Sequence, residues 1–156
     1  MNINEKLTEV LNDLIRINND RTEGYVNASN EAKSIDVDLQ ATFNKMADQS
    51  RKYAAELSNE VKRLGGEAAT GTTASGKIHR AWIDVKATFS GKDRQALLNS
   101  CEFGEDAAQK GYKAALASDA EMSAETRNII TDQQSFLKTS HDLIKKYRDA
   151  QKAVNA

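Results

Sequence analysis

The chain has 156 residues, with 22 Lys and Arg against 23 Asp and Glu and a net charge of −1. That length fits one domain with a substantial core, and the charge balance leaves no electrostatic footprint for nucleic acid or an anionic membrane. Its one cysteine, Cys101, excludes an internal disulfide framework. The start "MNINEKLTEV" has no basic stretch leading into an apolar one, and no apolar run nears the ~20 residues of a membrane helix, so a cytoplasmic protein is the expectation.

Proline is absent and glycine is sparse. Ala, Leu, Glu, Lys, Gln and Arg are plentiful, and all favour helix. Strand-type alternation is hard to find, so the expected class is all-α. The first long helix is expected from about Asn4 to Ser34, opened by Asn2 with Glu5 in a capping-box pattern. Its seam of alternating three and four spacing runs Leu7, Leu11, Leu14, Asn18, Arg21, Tyr25, Ala28, Ala32. The second is expected from Val37 to Leu64, capped by Asp36 and ended by Gly65-Gly66. Its seam is Leu39, Phe43, Met46, Ser50, Tyr53, Leu57, Glu60 or Val61, and Leu64.

"EAATGTTASG" is small and polar and is expected to be a mobile connector; it lacks the Lys-Ser/Thr ending of a phosphate loop. In "KIHRAWIDVKATFSG", Ile78, Trp82, Val85 and Phe89 share one stripe, which predicts a shorter amphipathic helix closed by Gly91. The third long helix is expected from Asp93 to Ala117, with the seam Arg94, Leu97, Cys101, Glu105, Ala108, Tyr112, Ala115. "SDAEMS" breaks the pattern. Ser123 then caps a fourth long helix from Ala124 to Ala150, whose seam includes Ile130, Gln134, Leu137, His141, Ile144 and Arg148.

Four long amphipathic helices predict a four-helix bundle, one domain over residues 1–156. The first and last connections are short, so those neighbours are antiparallel. The middle connection is long and carries its own helix. It can return the chain along the bundle, so that the third long helix runs parallel to the second. That single long crossover is ferritin-like connectivity.

Each seam is interrupted by polar residues near its middle: Asn18 and Arg21, then Ser50 with Tyr53, then Glu105, then Lys138 with His141. Their depths coincide, which predicts a polar layer at half height. Buried polar groups cost ~1–3 kcal/mol each when unpaired, so these should be partnered. A di-iron bundle places its metals at this level, using a Glu from each of two helices and Glu-x-x-His from each of the other two. Only Glu105 and His141 keep that chemistry, with Glu102 one turn away as a further carboxylate. The favoured expectation is a metal-free layer with no cofactor, in which Arg21 and Lys138 supply the positive charge for Glu105. Such a pair serves register more than stability. The alternative is a metal or redox protein holding iron or manganese on Glu102, Glu105 and His141.

At "LNDLIRINNDRTEGY", "AAELSNEVKRLGGE", "HRAWIDVKATFSG" and "CEFGEDAAQKGYKAAL" the chain resembles an uncharacterised bacterial family of ferritin-like four-helix-bundle proteins, a domain of unknown function. The resemblance runs from about Leu11 to Ala150. It implies a ferritin-like bundle in a bacterial cytoplasm and carries over no catalytic residue. Related ferritin-like families without intact ligands imply a link to stress responses.

His79 has no second His or Cys near it in sequence to make a ligand set. Trp82 and Phe89 belong to the face that covers the bundle, and are the interface candidates if that face is incompletely covered. Cys101 lies on a seam, where a free thiol behaves as a small apolar group. Tyr25 and Tyr112 each follow a layer residue, Asn18 and Glu105, by seven positions, which makes the first and third long helices pseudo-equivalent. The functional expectation is a non-enzymatic homo-oligomer, dimeric or higher, acting by self- or partner association, with no nucleic-acid or membrane partner. A third reading, a small-molecule binder, predicts a cavity beside Ser50 and Ala108.

Overall fold

A computed structural model describes residues 3–32, 37–73, 76–89 and 94–155; the side chains at 3, 31, 77 and 84–89 lie outside that description. The elements are α1 (Ile3–Ala32), α2 (Val37–Arg63), α3 (Gly76–Phe89), α4 (Arg94–Ala117) and α5 (Ala124–Asn155), with no strand among the described residues. The protein is all-α. The expected caps at Asn2 and Asp36 and the terminating Gly91 fall outside the described residues.

Helix ends follow the local chemistry. At the close of α2, Gly65 adopts φ 83. Its N–H donates to Lys62 O at 3.0 Å, and Gly66 N–H donates to Val61 O at 3.0 Å. This is a Schellman arrangement, which needs a left-handed residue at the first position past the helix. Ser123 Oγ accepts from Thr126 N–H at 3.1 Å and so caps α5. That helix runs five residues beyond the expected end at Ala150. "AQKAVN" holds no Gly or Pro to stop it, and Gln151 Nε2 bonds Asn155 Oδ1 one turn on.

Side-chain bonds fix the helix directions. Ser29 Oγ donates to Asn44 Oδ1 at 2.5 Å and Arg21 Nη1 to Met46 O at 3.1 Å, so α1 and α2 are antiparallel. Lys6 meets Asp119 just past α4, and Tyr25 meets Glu105, so α1 and α4 are antiparallel. Ser140 pairs with Gln49 and Thr126 with Glu60, so α5 opposes α2. Hence α2 and α4 run parallel, and α3 carries the chain back between them.

All eight expected seam positions of α1 are buried. On α2 the seam is buried from Leu39 through Val61. On α5 the buried stripe is Thr126, Ile130, Gln133, Leu137, Ser140 and Ile144. Gln134, His141 and Arg148 are therefore not core positions. Both alternations of three and four connect Ile130, Leu137 and Ile144, and the helix packs on the other one.

The connector 66–73 lies along α1. Asn12 Nδ2 donates to Glu67 O at 3.0 Å and Asn12 Oδ1 accepts from Ala69 N–H at 2.8 Å. Asn19 Nδ2 donates to Gly71 O at 2.9 Å, and Asp20 accepts from both the N–H and the hydroxyl of Thr73. The expected mobile connector is thus bonded to one face of α1. Beyond it, the Trp82 ring of α3 is wedged between α1 and α4. A Cβ on Gly24 would lie 2.5 Å from Trp82 Cε3, and one on Gly104 would lie 2.9 Å from Cζ2. Two apolar clusters result, one around Phe43, Trp82 and Leu97, the other around Leu11, Leu57 and Leu137.

Candidate functional site

Between these two clusters lies a band of buried polar side chains. α1 contributes Asn18 and Arg21, α2 Ser50, and α4 Glu105, each with no exposed surface. Arg21 Nε donates to Glu105 Oε1 at 2.5 Å, and Arg21 Nη1 donates to Ser50 Oγ at 2.7 Å. The guanidinium also lies 5.1 Å from the centre of the Tyr25 ring, a cation–π distance. Tyr25 OH donates to the same Glu105 oxygen at 2.7 Å.

A chain of hydrogen bonds leaves this ion pair. Ser50 Oγ donates to Asn18 Oδ1 at 3.0 Å, Asn18 Nδ2 to Tyr112 OH at 2.8 Å, and Tyr112 OH to Gln133 Oε1 at 2.6 Å. Gln133 Nε2 then reaches Tyr53 O at 3.4 Å and Glu56 Oε2 at 3.3 Å. The tyrosines are reciprocal. Tyr25 of α1 bonds Glu105 of α4, while Tyr112 of α4 bonds Asn18 of α1. The shared spacing of seven residues puts them at matching places on antiparallel helices.

Burial works to lower the Arg21 pKa, and the Glu105 carboxylate together with the Tyr25 and Tyr112 phenols more than offsets it, so the guanidinium holds its proton. Burial pushes the Tyr25 phenol well up, and the nearby carboxylate pushes it further. Tyr112 and Tyr53 are also raised, chiefly by burial. Burial raises the Cys101 thiol well above its ordinary value, with Glu105 adding to the effect. Cys101 is fully buried, and a thiol in that setting is a poor nucleophile. Among the described residues, Arg21 Nη2 and Glu105 Oε2 find no hydrogen-bond partner.

Lys138 does not join the layer. Its side chain is 67% exposed and pairs with Asp142 at 3.0 Å, because it follows the core residue Leu137 and so points about 100° away from it. His141 sits at the α4–α5 edge, its Nε2 3.1 Å from Glu102 Oε1. Glu102 is held on its other side by Arg148 at 3.2 Å. Glu105 faces Arg21 instead, so Glu102, Glu105 and His141 do not converge. No group of three or more His, Cys, Asp or Glu placed to hold a metal occurs among the described residues.

Trp82 is 1% exposed and is a core residue, so it presents no interface: α1 and α4 close over it at two glycines. The Phe89 side chain lies outside the described residues. His79 is half-buried, and its Nδ1 has no hydrogen-bond partner among the described residues. A ligand cavity was expected beside Ser50 and Ala108; on the Ser50 side stands the Arg21 guanidinium, its Nη1 2.7 Å from Ser50 Oγ, and Ala108 is fully buried. Gln133 and Ser140 are buried polar residues missed by the sequence reasoning. Their spacing with Ile130, Leu137 and Ile144 was a usable signal, though no stronger than that of Gln134 and His141.

These features define an all-helical protein with a charge pair sealed at its centre. Residues 6–118 match a family described as Domain of unknown function (DUF2383), and the chain belongs to that family. The match takes in Asn18, Arg21, Ser50 and Glu105 but ends just past α4, before Gln133. No curated protein matches the chain. No helix among the described residues is long and apolar enough to cross a membrane.

Proposed function

We propose that the helices form a ferritin-like four-helix bundle whose central layer is a degenerate di-metal site, and that the protein acts without catalysis, by association with itself or a protein partner. The order of helices supports the bundle: two antiparallel hairpins joined by one long crossover, with α2 parallel to α4. The Arg21–Glu105 pair carries the functional part. A divalent cation bound to Glu105 would sit within a few ångströms of a guanidinium that cannot lose its proton, in a low-dielectric core where repulsion is strong. The neighbouring layer positions offer an amide at Asn18 and a hydroxyl at Ser50, both already hydrogen-bonded. These residues do not fit a two-iron or two-manganese centre.

The competing reading, an iron or manganese protein on Glu102, Glu105 and His141, requires Glu105 to turn away from Arg21 toward the edge of α4. Metal analysis of protein purified without chelator separates the two. The expected result is far less than one iron, manganese or zinc per chain, and no oxygen consumption with ferrous iron beyond that of a protein-free control. Stoichiometric metal that disappears in His141→Ala would overturn the metal-free reading.

A further inference from the structure

The long helices are closed unequally around the core. α1 packs along both α2 and α4, α4 along α5, and α3 covers α1 and α4, whereas α2 and α5 meet only sparsely. Between α2 and α5 lies a groove of about 800 Å³. The polar groups on its floor bond one another: Ser140 Oγ to Gln49 Oε1 at 3.1 Å, Gln49 Nε2 to Tyr53 OH at 3.2 Å, and Gln133 Nε2 to Tyr53 O at 3.4 Å. A small polar ligand is oriented by convergent groups free to bind it, and here those groups are engaged with each other.

The rims have a different character. On α5, Phe136 is 59% and Leu143 is 37% exposed, two helical turns apart on the same side of the groove. On α2 the rim reads Lys45, Asp48, Lys52, Glu56. Alternating charges at this spacing ordinarily mark a solvated helix face. This row has an added property. Laid antiparallel against itself, it sets Lys45 opposite Glu56 and Asp48 opposite Lys52. The two-fold axis that does so crosses α2 beside Ser50. The Gln49–Ser140 and Tyr53–Gln133 bonds place that height on α5 between Gln133 and Ser140, where Phe136 projects. One axis therefore pairs every rim charge on α2 and brings Phe136 against its own copy. Self-complementarity of this kind is what an isologous interface requires.

We propose that a second copy of this chain docks across the α2–α5 groove, with the two α2 helices antiparallel and the two Phe136 rings at the centre. The inference rests on the association reading and names its surface. The apolar rings supply the affinity and the charge row sets the orientation. Asp48 contacts Arg51 at 2.6 Å on the exposed face of α2; that solvated contact yields to Lys52 of the second copy.

Sedimentation velocity of the full chain over a concentration series up to about 1 mM tests this. The expected species is a dimer. Lys52→Asp should raise the dissociation constant about tenfold or more, and Asp48→Lys with Lys52→Asp, which reverses the central pairs but keeps them opposed, should restore it. Phe136→Ser should give a monomer of unchanged helicity, because the residue is exposed. A dimer indifferent to Phe136→Ser and to the charge exchange would overturn this surface while leaving association intact. A monomer at every concentration would overturn this proposal and the self-association half of the reading, and would leave association with a different protein standing. A monomer whose groove takes up a hydrophobic dye only when Phe136 is present would overturn the proposal by assigning the groove to a small apolar ligand. The metal measurement is independent of all these outcomes.

Discussion

Removing either member of the Arg21–Glu105 pair leaves the other charge sealed in the core. Glu105→Gln should therefore cost about 3–5 kcal/mol, read as a lower urea midpoint with unchanged slope. The pair itself need not be stabilising, since Arg21 Nη2 and Glu105 Oε2 already lack partners among the described residues. The triple change Arg21→Met, Glu105→Leu and Tyr25→Phe removes the charges and the phenol that bonds them. It should recover most of the single variant's loss; a triple variant as unstable as Glu105→Gln would show the pair to be a net stabiliser. Asp20 makes a second prediction. Burial raises its pKa above the ordinary value, and the bonds from Thr73 oppose that shift without cancelling it. The folded state then holds the proton more tightly than the unfolded chain does. The resulting stability is complete below the unfolded pKa and is lost as pH rises through the folded one. The stability of wild type relative to Asp20→Asn should accordingly fall as pH rises from about 4. A flat or rising difference, in urea titrations across that range, would remove the assignment.

Among the elements, α3 has the most specific requirement of its neighbours. Replacing a helical glycine by alanine ordinarily gains about 1 kcal/mol. At Gly24 the new methyl would stand 2.5 Å from the Trp82 ring, and overpacking of this kind costs about 1–3 kcal/mol. The clash should win, so Gly24→Ala and Gly104→Ala should lower the melting temperature and shift Trp82 emission to the red. Gly71, with nothing within 4 Å of an added Cβ, is the control. Helix existence and order were legible because every long segment repeats its apolar residues at helical spacing without a proline. The face of α5 was not, because Gln133 and Gln134, or Ser140 and His141, satisfy the same spacing, and only packing against Tyr53 and Tyr112 selects between them. Trp82 was legible as part of an apolar stripe. Its burial was not, because it depends on two glycines that are far from it and from each other in sequence.

For the whole molecule, the polar layer could be anticipated at Asn18, Arg21, Ser50 and Glu105, since each interrupts a seam at the same depth. Lys138 could not be excluded from sequence, because its place follows from which side of α5 faces inward. The tryptophan wedge has a chemical consequence. Trp82→Ala would leave a flat slot between Gly24 and Gly104, walled by Tyr25, whose ring centre lies 5.3 Å from that of Trp82. The loss should be about 3–5 kcal/mol. Because Trp82 Nε1 has no hydrogen-bond partner among the described residues, the slot asks only for shape and an apolar face. Free indole should then bind the truncated protein and raise its melting temperature with increasing concentration, as mass action requires, while leaving wild type unmoved. A failure of indole to stabilise Trp82→Ala would mean that α1 and α4 collapse into the space. Success would turn the crossover helix into a socket, and folding into a process titrated by a small aromatic solute.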